Sequence, residues 1–132
     1  MRALALALLL AGPATAQEFT DSDGASLRFL DKLTSETGDV TLSRGQAAKF
    51  GKMIVQLDSC RYPTENPASD AEAHLTIIED ATQAMLFSGW MLASSPALSA
   101  LDHPRYDVWV LSCILPEAPA EDAPAEETPA EE

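Results

Sequence analysis

A chain of 132 residues with a formal charge of −13 and two cysteines has room for one domain and no more. Eight basic side chains against 21 acidic ones argue against nucleic acid and anionic membrane as partners. The charge is unevenly placed: residues 117–132 hold seven acids and no base, whereas 17–116 hold 14 acids and seven bases.

The first 16 residues read as a secretory leader. Arg2 supplies the charge, Leu4 to Leu10 an apolar run, and Ala14-Thr15-Ala16 a small-residue cleavage site. The run is too short to span a bilayer, so no stable membrane insertion is expected. No cysteine follows the cleavage site, which speaks against a lipid anchor. The mature chain is expected to start at Gln17, in the periplasm or outside the cell.

Residues 17–24 are polar and read as frayed. Ala25 to Leu33 fits a strand or a helix by its leucine spacing; the turn-like Ser35-Glu36-Thr37-Gly38 behind it favours a strand. Val40 and Leu42 alternate with Thr41 and Ser43. Arg44-Gly45 and Gly51 turn the chain on either side of the short segment Ala47 to Phe50.

Lys52 to Arg61 is the clearest alternating strand, with Met53, Val55 and Leu57 facing inward. Cys60 falls on the opposite parity, so a bulge or strand end is expected near Ser59. Pro63 and Pro67 place Tyr62 to Asp70 in a loop, and Ala71 to Ile78 alternates again.

The stretch from Phe87 to Cys113 holds both tryptophans. Met85 to Leu92 and Tyr106 to Cys113 are apolar on both parities, which predicts two central strands covered on both faces. Gly89 suggests a bulge or a close backbone approach in the first of them. Between them Ser95 reads as an N-cap, with Pro96 at the first helical position. Leu98 and Leu101 would share the buried side of about two turns, ending before His103-Pro104. The sum is an all-β domain over 17–116: a small sandwich or barrel of six to seven strands with one short helix. Residues 117–132, with their repeated Ala-Pro-Ala-Glu, read as a disordered acidic Pro/Ala/Glu tail.

Cys60 and Cys113 are an even count in an exported chain without Cys-x-x-Cys, which predicts one structural disulfide.

The run Phe87-Ser88-Gly89-Trp90-Met91, followed by Ala93 to Leu101, His103-Pro104 and Tyr106 to Leu111 with Cys113, resembles domain-of-unknown-function family 2155, small exported bacterial proteins. Leu30-Asp31-Lys32, Gly45-Gln46, Phe50-Gly51 and Cys60 also fit its pattern. The resemblance covers most of residues 27 to 113. It departs at Leu92 and Asp102, where an aromatic residue and a glutamate are expected. It implies export, the cysteine pair and a single domain, and brings no activity with it.

Chemistry is sparse. Ser94, Ser95, Asp102 and His103 supply the residue types of a hydrolytic site, yet no Gly-x-Ser-x-Gly elbow is present, and helix capping and termination explain them better. Glu72 and His74 on one strand face are two possible metal ligands, too few for a site. No catalytic set, metal or cofactor is expected. The favoured reading is a non-catalytic periplasmic module that binds or helps assemble another envelope protein. The segment Ala93 to Arg105 is its expected contact, through Ser99, Asp102, His103 and Arg105. Trp109 reads as core, and Trp90 as either core or groove. The alternatives are a small hydrolase using His103 with Ser94 or Ser95, and a structural envelope protein with an acidic spacer tail. Oligomeric state is left open.

Overall fold

The computed structural model describes residues 12–117. The expected leader therefore lies outside the described residues except for 12–16, which have no regular structure. The acidic tail lies outside them except for Glu117.

Period-two alternation runs through nearly every segment, and it builds two antiparallel sheets face to face. The strands are β1 (Phe19–Ser22), β2 (Gly24–Asp31), β3 (Glu36–Ser43), β4 (Ala47–Phe50), β5 (Met53–Pro63), β6 (Glu72–Glu79), β7 (Met85–Leu92) and β8 (Tyr106–Cys113). One sheet runs β1-β5-β6-β7, with β4 on the same edge of β5 as β1; the other runs β3-β2-β8. The described residues thus form a β-sandwich of eight strands rather than six to seven. The additional strand is β1, in the stretch read as frayed. Phe19 to Ser22 pairs with the far end of β5, Tyr62 and Pro63 included, beyond the expected start of the loop.

The core lies between the sheets. Ala25, Leu27 and Phe29 from β2 meet Met53, Val55 and Leu57 from β5, Ala73, Leu75 and Ile77 from β6, and Val108 and Val110 from β8. Phe50 of β4 stacks on Phe29 (4.8 Å) and meets Tyr106 edge-on (5.8 Å), closing one end.

Both cysteines reach this core by the same device. In β5 the pairing with β6 slips at Asp58, so Cys60 follows Leu57 inward despite its odd offset. In β8 the pairing with β2 slips at Leu111, so Cys113 follows Val110 inward. A bulge adds one residue and reverses facing beyond it. Two bulges, one in each sheet, bring the sulfurs together in the Cys60–Cys113 disulfide, with 5.8 Å between Cα atoms. The expectation for β5 was a bulge near Ser59, one residue away. Of the two readings of Gly89, the bulge lies instead at Leu86, where β6 and β7 change register, and Gly89 keeps its pairing with Leu75.

Three expectations for Phe87 to Cys113 are corrected. β7 and β8 are edge strands of their sheets, not central ones. Their second apolar face is half-covered by neighbouring side chains rather than by another layer, and Met85 remains 62% exposed. Trp109 is half-buried on the outer face of the three-stranded sheet, beside Arg28, Thr37 and Asp39, and is not part of the core. The expected two-turn helix is a single 3-10 turn, Pro96–Leu98, and Ser95 makes no side-chain cap. The chain must cross from one sheet to the other here, and Ser99 is already extended. Leu101 is buried, whereas Leu98 is 77% exposed.

Candidate functional site

The outer face of the five-stranded sheet carries a row of side chains that crosses four strands. Residues 72, 74 and 76 of β6 alternate with the buried 73, 75 and 77, so Glu72, His74 and Thr76 point outward together. Register then selects their neighbours: Arg61 lies opposite Glu72 and Trp90 opposite His74. Arg61 donates to Glu72 Oε2 through Nε and Nη2, both at 2.7 Å. Its guanidinium carbon lies 4.4 Å from the centre of the Trp90 ring and 4.8 Å from that of Phe19. The cation is held by two aromatic rings and a carboxylate, and this fixes the plane of the indole. His74 meets Trp90 edge-on at 5.3 Å.

The bulged Asp58 completes the row. Its Oδ2 is 2.8 Å from His74 Nδ1 and accepts a hydrogen bond from Thr76 Oγ1 at 2.7 Å. The result is a polar frame around Trp90, which is 37% exposed. Glu72 and His74, the two conceivable metal ligands, are turned to Arg61 and Asp58 respectively. Among the described residues no group of three or more His, Cys, Asp or Glu is placed to hold a metal ion.

The segment from Ala93 to Arg105 is arranged differently from the sequence expectation. Arg105 reaches back to β2 and donates to both oxygens of Asp31, from Nη2 at 2.7 Å and from Nε at 3.1 and 3.2 Å. Those hydrogen bonds, joined by the amides of Leu33 and Thr34 and opposed by burial, lower the Asp31 carboxyl to about 2. His103 Nδ1 accepts the N–H groups of Arg105 and Tyr106, each at 3.0 Å, and the ring stacks on Tyr106 at 5.1 Å. An accepting Nδ1 puts the imidazole proton on Nε2.

Ser94 donates its hydroxyl (2.7 Å) and its amide (3.0 Å) to Asp70. Burial alone would raise the Asp70 carboxyl, but these two donors and the Ala71 amide outweigh it and hold the carboxyl below the ordinary range. Neither Ser94 nor Ser95 hydrogen-bonds His103 among the described residues; Ser94 is bound to Asp70, and His103 Nδ1 to the amides of Arg105 and Tyr106. Ser99 is half-buried after the turn and Asp102 is exposed. Of the residues singled out by sequence, Trp90 and the strand-face pair Glu72 and His74 belong to the row on the sheet face. Phe19, Asp58, Arg61 and Thr76 were not foreseen, because their meeting depends on strand order and register.

Residues 25–113 match the family model described as an uncharacterized protein conserved in bacteria, DUF2155. The chain belongs to this family. The matched range contains all of the face row except Phe19, and both cysteines. The uncharacterized protein RP359 of Rickettsia prowazekii (strain Madrid E) is 29% identical over 99 residues, covering 73% of this chain. The match spans 64% of the relative's length. No solved structure matches. No helix among the described residues is long and apolar enough to cross a membrane.

Proposed function

We propose that this DUF2155 member is a non-catalytic, exported binding module, and that it contacts another envelope protein through the outer face of its five-stranded sheet. The observation that carries the reading is the placement of Trp90. The residue is 37% exposed, yet its indole is held in one orientation by Arg61 and His74. An oriented aromatic offers apolar area at low entropic cost, which suits it to anchor a protein contact. Arg61 and Glu72 supply a polar rim. Support also comes from what the other candidates are doing: Ser94, His103 and Arg105 are engaged in holding the segment between β7 and β8. Export rests on the leader pattern at 1–16.

The test is site-specific photocrosslinking in intact cells. A photoreactive residue at position 90 should capture one envelope protein, identifiable by mass spectrometry. The same residue at Thr41, exposed on the opposite sheet, should not. Arg61→Ala should lower the yield at position 90 by removing the charged rim beside it. Equal adducts at both positions, or none at 90, would refute the reading.

A further inference from the structure

The outer edge of β7 is unlike every other strand edge among the described residues. No strand among the described residues pairs with it. Exposed edges template further pairing, and proteins blunt them with charge, proline or cover. The remaining edge strands each carry charge: Asp21 in β1, Glu36 and Asp39 in β3, Lys49 in β4 and Asp107 in β8. β7 carries none. Residues 81–101 contain no Asp, Glu, Lys or Arg, in a chain that is 22% charged.

The phase of the β7 backbone can be assigned. The Ala93 N–H donates to the Ala71 carbonyl at 2.8 Å, on the β6 side. Hydrogen-bonded and open positions alternate along an antiparallel edge. Phe87, Gly89 and Met91 therefore turn their main-chain groups toward β6, and Ser88 and Trp90 turn theirs outward. The Leu86 bulge lies before this window, and the Leu92 carbonyl is taken by the Ser95 amide. The open edge is thus short and centred on Gly89.

We infer that this edge is occupied by β7 of a second copy, antiparallel, with the two-fold axis at Gly89. That register sets Ser88 against Trp90 of the second copy, and Trp90 against its Ser88, joined by reciprocal main-chain hydrogen bonds. Each bulky indole faces a small residue on the outer side. On the inner side Phe87 lies opposite Met91, a favourable sulfur–aromatic pairing. A one-residue slip would set inner side chains against outer ones. Centring on Trp90 would oppose two indoles, and centring on Ser88 would run into the bulge. Between identical acidic bodies, an uncharged strand also avoids opposing like charges.

The pairing fuses two five-stranded sheets into one, with both Trp90–Arg61 clusters on the same face. This last consequence rests on the reading of that face as the partner surface; the dimer itself rests on β7 alone.

The exported protein, isolated from cells, should sediment as a dimer. Ser88→Pro removes an outward N–H that the β6 ladder does not use, so the variant should keep its melting temperature and become monomeric. Gly89→Cys supplies an independent readout. An added Cβ meets nothing nearer than Phe87 at 3.5 Å. Directly opposed, non-hydrogen-bonded residues have Cα atoms about 4.5 Å apart, within the range a disulfide spans. The variant should form a covalent dimer whose linked peptides both contain position 89. A monomeric wild type, an unchanged dimer in Ser88→Pro, or no covalent link through position 89 would each overturn the inference. A monomer that still gives the position 90 adduct overturns the dimer and leaves the binding face standing. A linked dimer without that adduct supports the dimer and refutes the face.

Discussion

Arg105 and Asp31 are bound through both carboxylate oxygens, and the pair ties the end of the β7–β8 connection to the end of β2. The Asp31 side chain is 7% exposed. The Arg105 carbonyl accepts the Lys32 amide at 2.8 Å, so backbone and side chain fix the same junction. This relationship gives Arg105, whose side chain stays 35% exposed, a framework role, and it has a consequence in pH.

The Asp31 carboxyl is lowered to about 2, first by the hydrogen bonds from Arg105 and then by the amides of Leu33 and Thr34. A depressed carboxyl contributes stability that is complete above its ordinary value, near 4, and is lost as pH falls toward 2. Melting temperature should therefore fall through that window. In Arg105→Ala the protein should melt lower at neutral pH, and the acid-dependent loss should be smaller. Thermal melts of both proteins from neutral pH down to pH 2 check this; parallel curves would refute it.

The glycines at two turns should differ in their tolerance of a methyl group. Gly45 has φ of +81° and open space around it, so Gly45→Ala should cost about 1 kcal/mol from backbone strain alone. Gly51 has φ of +55°, and an added Cβ would lie 2.4 Å from the Tyr106 hydroxyl and 2.6 Å from its Cζ. Tyr106 is 2% exposed and packs against Phe50 and His103, so it has little room to yield. Gly51→Ala should be clearly the more damaging in denaturant titrations.

Leu98 and Leu101 separate in the same way. Leu101→Ala, at a residue 5% exposed, should cost about 2–4 kcal/mol. Leu98→Ala, at 77% exposure, should stay within about 0.5 kcal/mol of the parent. Equal losses would mean that Leu98 is covered in solution.

The disulfide joins residues 53 apart in sequence. Replacing both cysteines by alanine releases that loop in the unfolded chain, a loss of about 4 kcal/mol in the chain-entropy model. Chemical denaturation under non-reducing conditions measures it. A loss below about 1 kcal/mol would place the stabilisation elsewhere.

The sequence by itself determined the all-β class, most strand positions and the identity of the bonded cysteines. These follow from alternation, turn residues and cysteine count, which are local or compositional signals. It also carried the DUF2155 resemblance, which the family match bears out. Only the tertiary structure decided which strands lie at an edge, because a strand apolar on both parities looks the same whether a layer or its own neighbours cover it. That is why β7 and β8 were read as central, and why Trp109 was read as core. The row on the sheet face was likewise illegible. Phe19, Arg61, His74 and Trp90 come from four strands, and only strand order, two-residue alternation and the bulge at Asp58 bring them together. Conversely, Ser94, His103 and Arg105 looked available because their partners, Asp70, the amides of Arg105 and Tyr106, and Asp31, are set by loop geometry. Local physics chose the elements; long-range register chose which polar groups hydrogen-bond one another and which surfaces are left open.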